Sequence, residues 1–252
     1  MDWDDPKAVE VFFEVHAMLP REGPGNQPST ARALALAGAL PARPRVLDIA
    51  CGPGQQTLDL AALLPGATIT AVDLHPPFVA ETRRRAAAAG LDDRVNAIEA
   101  DMTALPFAPG SFDLLWCEGA AYIMGVEAAL LAWKPLLAPG GRLAFTEAVW
   151  LRGDPPVPVR ACWEEYPAMT DIAGNRVLAR RCGYTLLGDF VLPEAAWFDD
   201  YYGPMAQRIE VVAARHEGDP VAGAVLDEAR EEIAVYREFA DCYGYLFIVL
   251  GL

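Results

Sequence analysis

The apolar positions of this chain follow two periods that alternate along its length. Residues 7–18 carry Val9, Phe12, Phe13, Val15 and Met18 at helical spacing, and Pro6 suits a first helical turn. A proline- and glycine-rich loop follows from Pro20 to Pro28, after which Ser29 or Thr30 can cap a second helix ending near Gly38. Short apolar runs then alternate with helical segments. The runs predict strands over residues 45–49, 68–72, 95–98, 112–117 and 142–149. Between them lie predicted helices over 55–64, 76–89 and 126–137, with Pro65-Gly66 and Ala138-Pro139-Gly140-Gly141 as stops. Such alternation implies an α/β fold: a mostly parallel, Rossmann-like sheet with helices on both faces.

After Trp150 the pattern changes. Residues 152–158 hold three prolines and read as loop, and 162–182 read as short helices with aromatic insertions. A sixth strand is predicted over 183–192, an insertion of two helices over 193–241, and a last strand over 243–250. The expected organisation is one domain. Residues 1–40 supply N-terminal helices and a proline- and glycine-rich loop, 45–150 an α/β core, and 151–182 and 193–241 a helical, aromatic cap. Most of Trp197, Phe198, Tyr201 and Tyr202 should be core between cap and sheet, the rest lining an apolar pocket.

Composition narrows the function. A chain of 252 residues, 53% hydrophobic, is long enough for one sizeable core. A formal net charge of -15 argues against nucleic acid or an anionic membrane as partner. Five scattered cysteines without a CxxC pair suggest free thiols in a reducing cytoplasm, not a disulfide frame or a zinc site. The acidic start Met1-Asp2-Trp3-Asp4-Asp5 is unlike a signal peptide, and no apolar run reaches membrane-spanning length.

The chemistry gathers where strands end. The first strand leads into Asp48-Ile49-Ala50-Cys51-Gly52-Pro53-Gly54, a small-residue turn whose glycines let backbone approach a ligand. The second strand ends in Asp73, one βα unit later, where Rossmann-type sites place a ribose-binding carboxylate. Taken with Asp101-Met102, Phe112-Asp113-Leu114-Leu115 and Leu137-Ala138-Pro139-Gly140-Gly141-Arg142-Leu143, this series resembles the ordered motifs of class I S-adenosylmethionine-dependent methyltransferases acting on small molecules. The resemblance runs from about Val46 to Glu147 and departs at Ala50, where many members carry glycine and where alanine lacks freedom at positive φ.

The resemblance implies a seven-stranded sheet with an antiparallel last strand. It implies S-adenosylmethionine as methyl donor, S-adenosylhomocysteine as product, and no metal. Asp48, Ala50, Cys51, Gly52 and Gly54 would form the donor loop, Asp73 and Leu74 would meet the ribose side, and Asp101 and Met102 would meet the adenine. Arg21 and Gly23 lie in an Arg-x-Gly-Pro-Gly loop expected to close over the donor, with Arg21 reaching its carboxylate, although Arg21 also reads as a solvated loop charge. Glu118 and Tyr122, just past the fourth strand, should face the methyl-transfer pocket. Glu118 would attract the donor's cationic groups or serve as base, and Tyr122 would orient the acceptor. The acceptor would be a small molecule with a nucleophilic N, O, S or C atom, and a homodimer stays open. Two rivals remain: a non-catalytic binder of the same ligands, and an NAD-dependent oxidoreductase, whose third loop glycine is missing at Thr57.

Overall fold

Five strands make the parallel half of one sheet; the inner ones are buried on both faces, as their near-continuous apolar runs require, and the edge strand β3 (Val95–Glu99) is half exposed. They are β1 (Arg45–Ile49), β2 (Thr68–Asp73), β3 (Val95–Glu99), β4 (Phe112–Glu118) and β5 (Leu137–Trp150). The computed structural model describes residues 3–252; Met1 and Asp2, which open the acidic N-terminus, lie outside it. Strand order is β3-β2-β1-β4-β5-β8-β7, with β7 (Thr185–Val191) and β8 (Tyr243–Gly251) completing the sheet. β8 runs antiparallel to both neighbours, as expected of a last strand. An eighth strand was not expected: the two-residue β6 (Thr170–Asp171) pairs with Val149 and Trp150 at the end of β5. It is too short to carry a periodic signal.

The helices are α1 (Pro6–His16), α2 (Gln27–Ala37), α3 (Gln55–Leu63), α4 (Pro76–Ala88), α5 (Ala121–Met124) and α6 (Val126–Trp133), then α7 (Val157–Cys162), α8 (Ile172–Arg181), α9 (Ala195–Trp197), α10 (Gly203–Arg215) and α11 (Pro220–Phe239). Several boundaries differ from expectation; α7, for one, begins at Val157 inside the stretch read as loop. Asn26, not Ser29 or Thr30, caps α2, because its side chain accepts from Ser29 N and Pro28 fits the first turn. The stretch from Leu137 to Gly141 belongs to β5 rather than to a helix stop, since Leu137 pairs with Phe112 before a register shift. The helix ends earlier, in a 3-10 turn from Lys134 to Leu136.

Residues of alternating parity face opposite sides of the sheet. Leu115, Cys117, Phe145 and Val149 pack under α6 and α8, whereas Leu114, Trp116, Ala144 and Phe247 pack under α2 and α3. A third core joins α1, α7, α10 and α11 to Ala148 and Tyr243. There Trp197 stacks on Tyr236 with ring centroids 3.8 Å apart. Most insertion aromatics are therefore core, each contributing about 1.5–3 kcal/mol of burial. Among the described residues no helix is long and apolar enough to cross a membrane.

Candidate functional site

Strand order reverses between β1 and β4, and in such sheets ligands bind beyond the carboxyl ends at that point. The turn after β1 is held from several sides. Cys51 N donates to Val72 O at 2.9 Å, and Gly52 N to Asp73 Oδ2 at 2.8 Å. Gly52 and Gly54 take φ of 52° and 91°, so the turn needs glycine. Ala50 also adopts a left-handed φ, 55°, against the expectation that alanine avoids it. The flanking bonds over-determine the turn. Such strain costs about 1–2 kcal/mol. Ala50→Gly relieves it at a cost of about 0.4–1 kcal/mol in chain entropy. It should therefore raise the thermal midpoint by a few degrees; a lower midpoint in calorimetry would show that the turn carries no strain there. Cys51 is fully buried, with its Sγ beside Gly52 O and Thr82 Oγ1, and burial pushes its thiol well above its ordinary value.

Asp73 ends β2 with Oδ1 accepting from His75 N and Oδ2 from Gly52 N. Asp73 is half-buried and Leu74 is exposed on the rim. Asp101 is exposed, and its Oδ1 accepts from Thr103 N and Oγ1, each at 2.8 Å. Met102 packs against the main core, with its carbonyl accepting from Trp133 Nε1. Asp73 ends β2, and Asp101 and Met102 follow the neighbouring β3. Asp48 is fully buried near the end of β1, with Thr57 Oγ1 donating to Oδ2 and Oδ1 unpartnered. Burial lifts its pKa to about 8.

Arg21 departs furthest from expectation. It is 2% exposed, neither a solvated charge nor a fork free for a ligand carboxylate. Nη1 donates to Glu118 Oε2 at 2.5 Å, Nη2 donates to Asp59, and Nε lies 3.5 Å from Asp200 Oδ2. Burial pulls the guanidinium down, but Glu118, Asp59 and Asp200 more than offset it. The loop is packed in rather than open: Gly25 N donates to Ala196 O, and Arg85 donates to the carbonyls of Leu19 and Pro20. Arg85, on α4, thus positions this loop. Gly23 leaves open space around its Cα, whereas a Cβ on Gly25 would sit 2.5 Å from Glu118 Oε2. Glu22 lies beside Gly52 and pairs with His16 Nδ1 at 2.6 Å.

Glu118 also accepts from Trp116 Nε1 at 2.8 Å. Burial raises its pKa and Arg21 draws it back. Tyr122 does not join it. Its ring lies 5.4 Å from that of Tyr166, and the carboxyls that bear on it are Glu147 and Glu232. The expected pair is thus split between two clusters. Asp59 and Asp200 have no sequence signal of their own; no local period links them to Arg21.

The strand ends are rich in carboxyls, with Asp48 and Asp73 beside the glycine turn and Glu118, Asp59 and Asp200 around one guanidinium already engaged on three sides. Such a donor set fits a ligand bearing cationic groups and hydroxyls. It does not fit a pyrophosphate, whose charge would face these acids.

Comparison with known proteins agrees with this geometry. Residues 46–141 match the methyltransferase domain family. The chain is 42% identical over 104 residues to a demethylmenaquinone methyltransferase of Thermus thermophilus, covering 41% of this chain and 46% of that protein. It is 35% identical over 179 residues to a malonyl-[acyl-carrier protein] O-methyltransferase of Enterobacter lignolyticus, covering 70% of this chain and 65% of the relative. The matched stretches thus span less than two thirds of either relative. A crystal structure of an S-adenosylmethionine-dependent methyltransferase from Geobacter sulfurreducens, in complex with S-adenosyl-L-homocysteine, superposes with a TM-score of 0.82 at 22% identity, over 96% of this chain and 97% of that one. Residues 46–141 are thus similar to the methyltransferase domain family, and the chain as a whole has the fold of that S-adenosylmethionine-dependent methyltransferase.

Proposed function

We propose that the chain transfers the methyl group of S-adenosylmethionine to a small-molecule acceptor. The observation that carries this reading is the acid-lined glycine turn at the switch point, with Asp73 tied to Gly52 N. S-adenosylmethionine supplies an activated methyl group on a sulfonium that carries its own leaving group. The chain's residues align and enclose. Asp73 accepts from the ribose hydroxyls, and Leu74, Asp101 and Met102 bound the adenine. Asp48, Ala50, Cys51, Gly52 and Gly54 shape the turn, through backbone and a buried carboxyl. Glu118 faces the cationic end of the donor. Its engagement by Arg21 and Trp116 favours that electrostatic role over proton abstraction. Arg21 holds Glu118, Gly23 and Gly25 let the loop pass beneath the cap, and Tyr122 stands on the acceptor side. The net charge of -15 and five free cysteines go with a small-molecule acceptor in a reducing cytoplasm.

Incubation with S-adenosylmethionine and a small-molecule collection tests the reading. Acceptor-dependent release of S-adenosylhomocysteine is expected; tight donor binding with no release for any acceptor would favour the regulatory rival. Glu118→Gln should weaken donor binding about tenfold, ~1.4 kcal/mol, while turnover at saturating donor stays within a few-fold. A collapse of turnover at saturating donor would make Glu118 the base instead.

A further inference from the structure

Glu147 lies just past the carboxyl end of β4, because its neighbour Thr146 pairs with Glu118. Thr146 and Glu118 point to one face of the sheet and Glu147 to the other. Glu147 is 2% exposed. Its Oε1 accepts from Ala148 N, and its Oε2 is buried without a hydrogen-bond partner. The Tyr166 hydroxyl stands beside the carboxyl but outside good hydrogen-bond geometry. Tyr166 in turn packs on Tyr122, and lines an open groove of about 540 Å³ with Val126, Leu131, Asn175 and Leu178. An unsatisfied buried acceptor costs about 1–3 kcal/mol and is retained where something satisfies it.

The groups acting on Glu147 include no cation. Cys117, Tyr122, Tyr166 and Tyr245 are the titratable groups it acts on in return. The other nearby carboxyl, Glu232, acts on Tyr122 and Tyr245 and is already served by the Tyr201 and Tyr202 hydroxyls. Glu147 therefore offers one free lone-pair direction and one uncompensated charge, beside two phenol rings. A hydroxyl donor would satisfy the hydrogen bond alone. A cationic amine satisfies the bond and the charge, and the ring faces attract it as well.

Resting on the methyl-transfer reading above, we infer that Glu147, with Tyr122 and Tyr166, is the anchoring site for an organic amine, so that the acceptor is an amine and not a carboxylate. Glu147 acts as a positioning residue. Burial lifts its carboxyl to about 7. Cys117, Tyr122, Tyr166 and Tyr245 are all pushed up by burial, away from neutrality. A bound ammonium favours the ionised carboxyl, so binding below pH 7 should expel a proton and binding at pH 8 should expel little.

The test is calorimetric titration of the full chain, saturated with S-adenosylhomocysteine, by benzylamine, benzyl alcohol and benzoate. Benzylamine should bind at least about tenfold more tightly than the other two. At pH 6 its heat should vary with the ionisation enthalpy of the buffer in the sense of proton release. Glu147→Gln, close in shape, should abolish both the preference and the proton release while leaving S-adenosylhomocysteine affinity unchanged. Equal or tighter binding of benzyl alcohol or benzoate, no benzylamine binding, or a preference that survives in Glu147→Gln would each overturn the inference. Failure of S-adenosylhomocysteine to bind in the same cell would instead strike the methyl-transfer reading, so the two failures are distinguishable.

Discussion

Asp73→Ala is expected to weaken S-adenosylhomocysteine binding about a hundredfold while the protein stays folded. A hydrogen bond to a charged group contributes about 1.5–3 kcal/mol, and a ribose brings two hydroxyl donors to one carboxylate. The variant also loses the acceptors of Gly52 N and His75 N, so the turn after β1 loosens with it. Asp73→Asn separates the two contributions. It keeps an acceptor for one backbone donor and lacks the charge, and should fall between the wild type and alanine. Asp73 is half-buried at the carboxyl end of β2, so circular dichroism and thermal melting should stay near wild type. Wild-type affinity in Asp73→Ala would remove this carboxylate from the site.

Arg21→Ala is expected to destabilise the fold by about 3–5 kcal/mol, the usual cost of stripping one partner from a buried ion cluster. For a chain of this size that lowers the thermal midpoint by roughly 10 °C or more. The loss should also depend on pH. Burial already raises Glu118 and Asp59 above the ordinary carboxyl range, with Arg21 drawing both back. Without the guanidinium their folded-state values rise further. A carboxyl raised on folding binds more protons folded than unfolded, so stability falls as pH climbs from the unfolded value towards the folded one. The gap between variant and wild type should therefore narrow in acid near pH 5 and widen towards pH 8. A gap that is constant with pH, or below about 1 kcal/mol, the scale of a surface pair, would show that the cluster is solvated.

The succession of strands along the chain and the position of the glycine turn were legible because each is written in local period. Val46 and Leu47 are buried on opposite faces, and Asp48 and Asp73 stand where their strands stop. What was illegible depends on partners far along the chain. Arg21 has the sequence context of a loop charge, and only the fold brings Asp59, Glu118 and Asp200 around it. Arg85 looks like a helix-surface residue until the carbonyls of Leu19 and Pro20 arrive beside it. Ala50 shows the opposite limit: its local preference was read rightly, and the surrounding bonds override it. Glu118 and Tyr122 are near neighbours in sequence yet serve different clusters, because a strand end and a short helix send them apart.

One measurement bears most directly on the central claim, that the acid-lined turn after β1 is a methyl-donor site. It is a calorimetric titration of the full chain with S-adenosylhomocysteine and, separately, with NAD. Saturable binding of S-adenosylhomocysteine, lost in Asp73→Ala, with no heat from NAD, is the predicted result. Binding of NAD in place of S-adenosylhomocysteine, or S-adenosylhomocysteine binding indifferent to Asp73, would contradict it.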